Sequence, residues 1–260
     1  RAAGVALTYA VEPEPRDTAG AIRFAADAAG IDGTFLVVNG DVLTDLDVGA
    51  LVAFHREHAG LATIALTPVE DPSAFGVVPT DSQGRVTAFI EKPRRDLAPT
   101  NLINAGTYVL EPEVLSLIAP GDRVSIERET FPALVRDGRL YAMASDAYWL
   151  DTGTPAQYLK ANLDLVEGAA LLERGSRVAP TAQVCRSVIG ADARIEDGAD
   201  VRSSVVLPGA VVGAGAIVEG SIVGARARIG AHARLGPVTV VGCDVEGAEG
   251  RVLEDERVPA

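Results

Sequence analysis

An α/β domain followed by a parallel β-helix is the fold this sequence predicts, and two periodicities predict it. Over residues 1–168 short apolar runs of strand character alternate with amphipathic helical stretches, which implies an α/β layer with a largely parallel sheet. From about Ser176 aliphatic residues recur instead at steps of six with an occasional five, the pattern of hexapeptide coils.

In the first half, "GVALTYAVE" reads as a strand, "TAGAIRFAADAAG" as a helix, "TFLVVNGD" as a buried strand and "DVGALVAFHREHAG" as a helix with Asp47 as its N-cap. "LATIALTPV" is a further strand, and "FGVVPTDSQGRVTAFIEKP" suggests two strands around the polar turn at residues 81–84. "INAGTYVLEPEVL" and "SIERETFPALVRDG" add a strand and helical segments, the acids of "ERE" at 127–129 lying on a helix face, with an indirect active-site role as the alternative.

In the second half, Val178, Val184, Ile189, Ile195, Val201, Val206, Val212, Val218, Val223, Ile229, Leu235 and Val241 carry the repeat. The steps are six, with fives after Val184, Val201 and Val218, so the short step returns every 17 residues. Three edges with one shortened make a triangular coil, and each inward aliphatic stacks on its counterpart in the next. An amphipathic helix is a poor competitor, because a period of six scatters the aliphatics around it and each glycine costs about 1 kcal/mol. The expected domains are residues 1–168, then 176–250 for the β-helix, then a C-terminal tail at 251–260.

A net charge of -13 argues against nucleic-acid binding, which needs basic surface, so an anionic substrate requires local positive charge or a bridging cation. No apolar run approaches the roughly 20 residues that span a bilayer, and no signal pattern is visible, so a cytoplasmic protein is expected. Cys185 and Cys243 make no CxxC pair and read as small buried hydrophobes. His55 and His58 read as solvated or partly buried helix residues, His232 as a lone histidine among the coils, and Trp149 as a packed residue with its indole nitrogen hydrogen-bonded.

"LVVNGDVLTDLD" ends an apolar run in Asp41, and "YWLDTGTPAQYLKAN" repeats the arrangement at Asp151. Either aspartate alone is an ordinary turn or cap residue. As a pair, at strand ends where α/β sheets bind ligands, they suit magnesium, which is held by one or two carboxylates with substrate phosphates and water.

"NGDVLTDLD", "FGVVPTDSQGRVTAFIEKP", "INAGTYVLEPEVL" and "YWLDTGTPAQYLKANLDL", in this order and ahead of hexapeptide repeats, resemble the sugar-1-phosphate nucleotidyltransferases, and "VSIERETFP" is most similar to the mannose-1-phosphate guanylyltransferase branch. The resemblance covers nearly the whole chain. It implies a Rossmann-like catalytic domain, a left-handed β-helix and Mg²⁺-dependent condensation of a nucleoside triphosphate, here GTP, with a sugar 1-phosphate, here mannose 1-phosphate. By the same resemblance Asp41 and Asp151 hold the metal, Asn39, Thr18 and Gly20 lie beside the nucleotide, and Gly76, Glu91, Lys92, Asn104 and Gly106 form the sugar-phosphate side, with Lys92 supplying the cation. Arg16 and Asp17 stand where the family has Leu-Gly.

The family's glycine-rich loop, which wraps the triphosphate, has no match here, and the chain opens on Arg1. The chain is therefore expected to be a fragment, inactive alone, of a nucleotide-sugar synthase. The alternative is a non-catalytic homologue that senses nucleotide sugar and assembles through its β-helix. Acyl transfer at His232 is a weaker third reading. Self-association is expected, because an open β-helix leaves strand edges that must be covered.

Overall fold

The helix expected from "TAGAIRFAADAAG" forms as α1, Asp17–Ala29, and Gly30 ends it in the left-handed conformation. In this computed structural model, which describes residues 4–166 and 168–259, β1 (Phe35–Val38) and β2 (Val42–Thr44) follow. Helix α2, Val48–His58, starts on Asp47, whose side chain accepts from the Ala50 N–H at 2.9 Å as its spacing predicts. Next come β3 (Ala62–Pro68), β4 (Gly76–Val77), β5 (Ile90–Glu91) and β6 (Leu102–Leu110). A π-helical turn, Ile126–Thr130, leads into α3 (Phe131–Arg136) and β7 (Leu140–Ala144). The chain divides into two units, Arg1–Trp149 and Leu150–Ala260.

The sheet of the first unit runs β5-β4-β6-β3-β7, with β1 also paired to β6. Strand β3 lies along one side of β6, so β4 and β1 share the other, β4 at Ile103 and β1 from Thr107 to Leu110. The expectation of a largely parallel sheet is corrected here. β6 is antiparallel to β1, β3 and β4, β4 is antiparallel to β5, and β3 with β7 is the parallel pair. A parallel return needs a crossover of a dozen or more residues, usually helical, and between β3 and β6 the chain offers only the short strands β4 and β5 and short 3₁₀ turns.

"GVALTYAVE" is also corrected: it forms no strand, and Val5, Leu7, Tyr9 and Val11 are exposed. Its alternation is strand-like, but no neighbouring strand among the described residues supplies a ladder. The core packs Leu61, Ile64, Leu66, Tyr108, Leu110, Phe131 and Leu134 under α1, while Leu51, Ala65, Ala105 and Val109 with Trp149 form a second layer under α2.

In the second unit all twelve repeat aliphatics occupy strands of a parallel solenoid whose three faces carry four, five and six strands. Ten of them, from Ile189 to Val241, are buried in one core; Val178 and Val184 pack at its open end. The coil continues through Val252–Leu253 and Arg257–Val258, inside the segment set apart as a tail. Helix α4, Pro155–Asp164, lays Leu159 and Leu163 on Val188, Val205 and Ile222, the outward residues of one face. The equivalent positions on another face are Arg177, Arg194, Val211 and Arg228, three of them charged. The covered face can be apolar throughout outside as well as inside, whereas the other is mostly charged outside. One corner stacks the buried hydroxyls of Ser187, Ser204 and Ser221: the Ser204 and Ser221 N–H groups each donate to the hydroxyl one coil back at 3.1 Å.

Cys185 and Cys243 are exposed, against expectation. Cys185 follows inward-facing Val184 and so points outward, and Cys243 lies at a corner after Gly242. His232 also lies at a corner, its ring above Gly215. His55 is wholly buried rather than partly, with Nδ1 at 2.8 Å from the Thr63 hydroxyl and Nε2 at 3.0 Å from Glu111. Among the described residues no helix is long and apolar enough to cross a membrane.

Candidate functional site

Strand β6 changes partners in the middle of "INAGTY". Between Leu66, opposite Asn104, and Ile64, opposite Tyr108, β3 advances two residues while β6 advances four, so β6 bulges over Ala105–Thr107. Bulges re-aim side chains and concentrate beside active sites. Here the bulge joins three of the expected residues. The Asn39 N–H donates to the Gly106 carbonyl at 2.9 Å, and the Gly106 N–H donates to Asn104 Oδ1 at 3.0 Å. Gly106 has φ +74°, and a Cβ there would lie 2.6 Å from Asn39 Nδ2, so the Asn39 amide occupies the space a side chain would take.

Asn104 Nδ2 donates to the Tyr108 hydroxyl at 2.9 Å. That leaves Asn104 one N–H and one acceptor lone pair for other partners. Burial pushes the Tyr108 hydroxyl well above the usual tyrosine range, against the Asn104 hydrogen bond, and the charges of Glu127 and Glu91 push the same way. The phenol therefore stays protonated. Tyr108 does not stand out in the sequence as a site residue, and the usable signal is "NAGTY", with Tyr108 four residues beyond Asn104; Glu127 is visible only as one of the "ERE" acids.

The β4–β5 hairpin carries the remaining residues expected on the sugar-phosphate side. Gly76 pairs with Glu91, and a Cβ on Gly76 would come within 2.8 Å of Phe89 and 3.0 Å of Glu91 Oε2. In the β4–β6 register Val77 faces Ile103, so Gly76 lies level with Asn104. Lys92 donates its N–H to the Phe75 carbonyl at 2.9 Å and has φ +48°. A non-glycine residue in that region ahead of Pro93 is strained by roughly 1–3 kcal/mol, and such strain gathers at functional positions. Its side chain is exposed and makes no ion pair among the described residues.

At the start of α1, Asp17 takes φ +60°, the left-handed conformation that glycine adopts freely and aspartate tolerates. The Leu-Gly departure at Arg16 and Asp17 thus preserves a path suited to glycine. Gly20 has a packing role: a Cβ would lie 2.7 Å from the Asp122 carbonyl, and the Ala19 and Gly20 N–H groups both donate to the Val124 carbonyl. The Thr18 hydroxyl donates to Glu127 Oε2 at 2.7 Å and accepts from the Ile126 N–H at 2.8 Å. The "ERE" acids are therefore more than a helix face. Thr18, Asn39, Gly40 and Tyr108 form the polar end of a groove of about 530 Å³ whose other walls are α1 alanines and β1.

Asp41 lies on the exposed turn between β1 and β2. Asp151 ends β8 (Trp149–Asp151) in the second unit, where its Oδ1 accepts from the Gly153 N–H at 2.7 Å. Within the first unit, Trp149 Nε1 donates to the Ala105 carbonyl at 2.8 Å, as its expected role requires. No group of three or more His, Cys, Asp and Glu side chains among the described residues is arranged to hold a metal. Each aspartate offers hard carboxylate oxygens, the donor type magnesium takes together with phosphate and water.

Residues 1–168 match the nucleotidyl transferase family model, and residues 166–259 match the GMPPB C-terminal domain. A mannose-1-phosphate guanylyltransferase of Mycobacterium tuberculosis is 39% identical over 80% of this chain and 61% of its own length. A probable mannose-1-phosphate guanylyltransferase 3 of Oryza sativa is 35% identical over 93% of this chain and 72% of its own. The catalytic subunit beta of the Dictyostelium discoideum mannose-1-phosphate guanylyltransferase is 39% identical over 60% of this chain and 43% of its own. The chain thus spans about three fifths of the Mycobacterium relative and less of the Dictyostelium one. With a family model matching the first 168 of its 260 residues, this chain belongs to the nucleotidyl transferase family.

Proposed function

We propose that the protein carrying this chain condenses GTP with mannose 1-phosphate to give GDP-mannose and pyrophosphate. The observation that carries the reading is the bulge constellation, Asn39 seated on Gly106 and Gly106 on Asn104, in a chain whose relatives bear that enzyme's name. A sugar-phosphate oxygen attacks the α-phosphorus, the bond to the β-phosphate oxygen breaks, and pyrophosphate leaves. Both reactants are anionic, so charge and alignment are the main obstacles.

Lys92, fixed by its strained backbone, sets an ammonium against the sugar phosphate. Glu91 accepts from sugar hydroxyls, and Asn104 offers its remaining N–H and lone pair to the same ring. The missing side chain of Gly76 leaves the space that Phe89 and the Glu91 carboxylate use, and so orients that acceptor. Asn39 and the first turn of α1, with Thr18 and Gly20, stand on the nucleotide side. Asp41 and Asp151 would hold Mg²⁺, which when bound neutralises phosphate charge and aligns the two substrates. The guanine preference follows the relatives' names. A cytoplasmic setting and self-association through the open edges of the solenoid belong to the same reading.

The test is pyrophosphate release by the full-length protein with GTP and mannose 1-phosphate. Asp41→Asn and Asp151→Asn should each lower kcat/KM by about 100-fold or more, on the scale of losing metal-borne charge stabilisation. Turnover at the wild-type rate in both variants would remove the metal assignment. Tight GDP-mannose binding without turnover on any triphosphate would favour the sensor alternative.

A further inference from the structure

The π-helical turn Ile126–Thr130 holds the nucleotide-side helix by one side chain. Thr18 Oγ1 lies between two groups of that segment, accepting from the Ile126 N–H and donating to Glu127 Oε2. The same carboxylate oxygen accepts the Ser125 hydroxyl at 2.9 Å, and the Ser125 hydroxyl in turn accepts from the Arg128 N–H at 3.3 Å. With a donor and an acceptor both engaged, the Thr18 hydroxyl is a latch more than a ligand contact. A carboxylate gathering two hydroxyl donors makes a charge-assisted hold about twice as strong as neutral hydrogen bonds. π-turns inside helical segments recur at functional sites.

We propose that Glu127 is a positioning residue for nucleotide binding: by gripping Thr18 it fixes the first turn of α1, and with it the groove wall of Thr18, Ala21 and Ile22, in the binding geometry. The inference rests on the nucleotide reading proposed above. Glu127 is separable from the scaffold. The Ala19 and Gly20 N–H bonds to Val124 and the close fit of Gly20 to the Asp122 carbonyl keep α1 docked when the carboxylate is removed. What is lost is the fixed orientation of Thr18 and its turn.

The experiment measures binding of a non-hydrolysable GTP analogue with Mg²⁺ to the full-length protein by calorimetry, beside KM for mannose 1-phosphate. Glu127→Ala should weaken the analogue about tenfold, the loss of a charge-assisted hydrogen bond, while the sugar-phosphate KM stays within about twofold. Glu127→Gln keeps an acceptor and should stay within about threefold. Thr18→Val, which keeps the shape and removes the hydroxyl from the other end, should reproduce the loss and serves if Glu127→Ala does not fold. Undiminished analogue binding in a folded Glu127→Ala or Thr18→Val protein overturns the inference, as does an equal loss on both substrates. A wild-type protein that binds no nucleoside triphosphate overturns the parent reading instead.

Discussion

Replacing Gly106 by alanine separates two costs that the bulge combines. The first is conformational: φ +74° lies where a Cβ clashes with its own carbonyl, for about 1–2 kcal/mol. The second is steric, because the new Cβ would stand 2.6 Å from Asn39 Nδ2, 3.0 Å from Cγ and 3.2 Å from Cβ. Asn39 cannot swing aside at its own backbone, since its N–H is bonded to the Gly106 carbonyl. Relief requires an off-rotamer amide or a shifted bulge, adding about 1–3 kcal/mol on the scale of core overpacking. Gly30 is the internal control. It has φ +65°, and a Cβ there would meet nothing within 4 Å, so Gly30→Ala incurs the first cost alone. Urea unfolding of the two variants should therefore differ, Gly106→Ala losing about 2–5 kcal/mol and Gly30→Ala about 1–2 kcal/mol. Adding Asn39→Gly to Gly106→Ala should return part of the difference. If the two alanine variants unfold alike, or the double variant recovers nothing, Asn39 does not rest on Gly106 and the bulge constellation falls.

Lys92→Gly should stabilise the protein, by about 1 kcal/mol of relieved left-handed strain offset in part by unfolded-state entropy, while lowering kcat/KM for the sugar phosphate at least tenfold. A thermal melt beside a rate assay reads both, and unchanged activity would remove the cation's role. Burial works to raise the Glu111 carboxyl, but hydrogen bonds from His55 and Thr34 outweigh it and hold the group below its ordinary 4.5. Its contribution is present above 4.5 and is lost as pH falls through the lowered value, so the stability advantage over Glu111→Gln should shrink below about pH 4.5. An advantage that stays constant from about pH 3 to about pH 7 would contradict that linkage. Ser204→Ala leaves the Ser221 N–H without its acceptor and the Arg202 carbonyl without its 2.7 Å donor. It should lower the stability of the solenoid by about 1–3 kcal/mol by denaturant melting, whereas an unchanged midpoint would mean that the hydroxyl stack is incidental.

The solenoid is readable because its repeat measures the structure directly: Val184, Val201 and Val218 stand at the same edge of successive coils, and each faces the next in register. The next coil has one residue more, Ile222 facing Val240, and the corner at Pro237–Thr239 absorbs it. The hydroxyl stack is visible as Ser187, Ser204 and Ser221 at 17-residue spacing, but a pattern of aliphatics draws attention away from it. Strand direction is not readable. "LATIALTPV" and "INAGTYVL" look alike whichever way they pair, and the outcome depends on whether the intervening chain can build a crossover helix. The failure of "GVALTYAVE" is of the same kind, since alternation specifies a strand only when a neighbour supplies the other half of the ladder. Tyr108 escapes, and the partner of Glu127 cannot be named, because their contacts with Asn104 and Thr18 are set by the bulge and the π-turn, and neither irregularity has a sequence period.

Left-handed residues distinguish scaffold from site. In the second unit they recur by coil: Arg186, Ser203, Gly220 and Val238 at one corner, Asp192, Gly209, Arg226 and Asp244 at another. A conformation repeated at every coil is the way this architecture turns, so it marks no particular place. In the first unit Ala59 is the C-cap of α2, and its strain is likewise architectural. Asp17 and Lys92 have neither excuse. Neither recurs and neither closes a helix, yet one opens the turn that carries Thr18 and the other follows Glu91. Strain that no repeat or cap explains has to be offset by what the residue does, and both positions coincide with the two substrate sides proposed above on other grounds. Asp17→Gly should therefore be the mild variant, gaining stability and keeping nucleotide binding because the backbone path is unchanged. Lys92→Gly gains stability and loses function, and a protein in which the two substitutions behaved alike would show that the strain at Lys92 serves only to turn the chain.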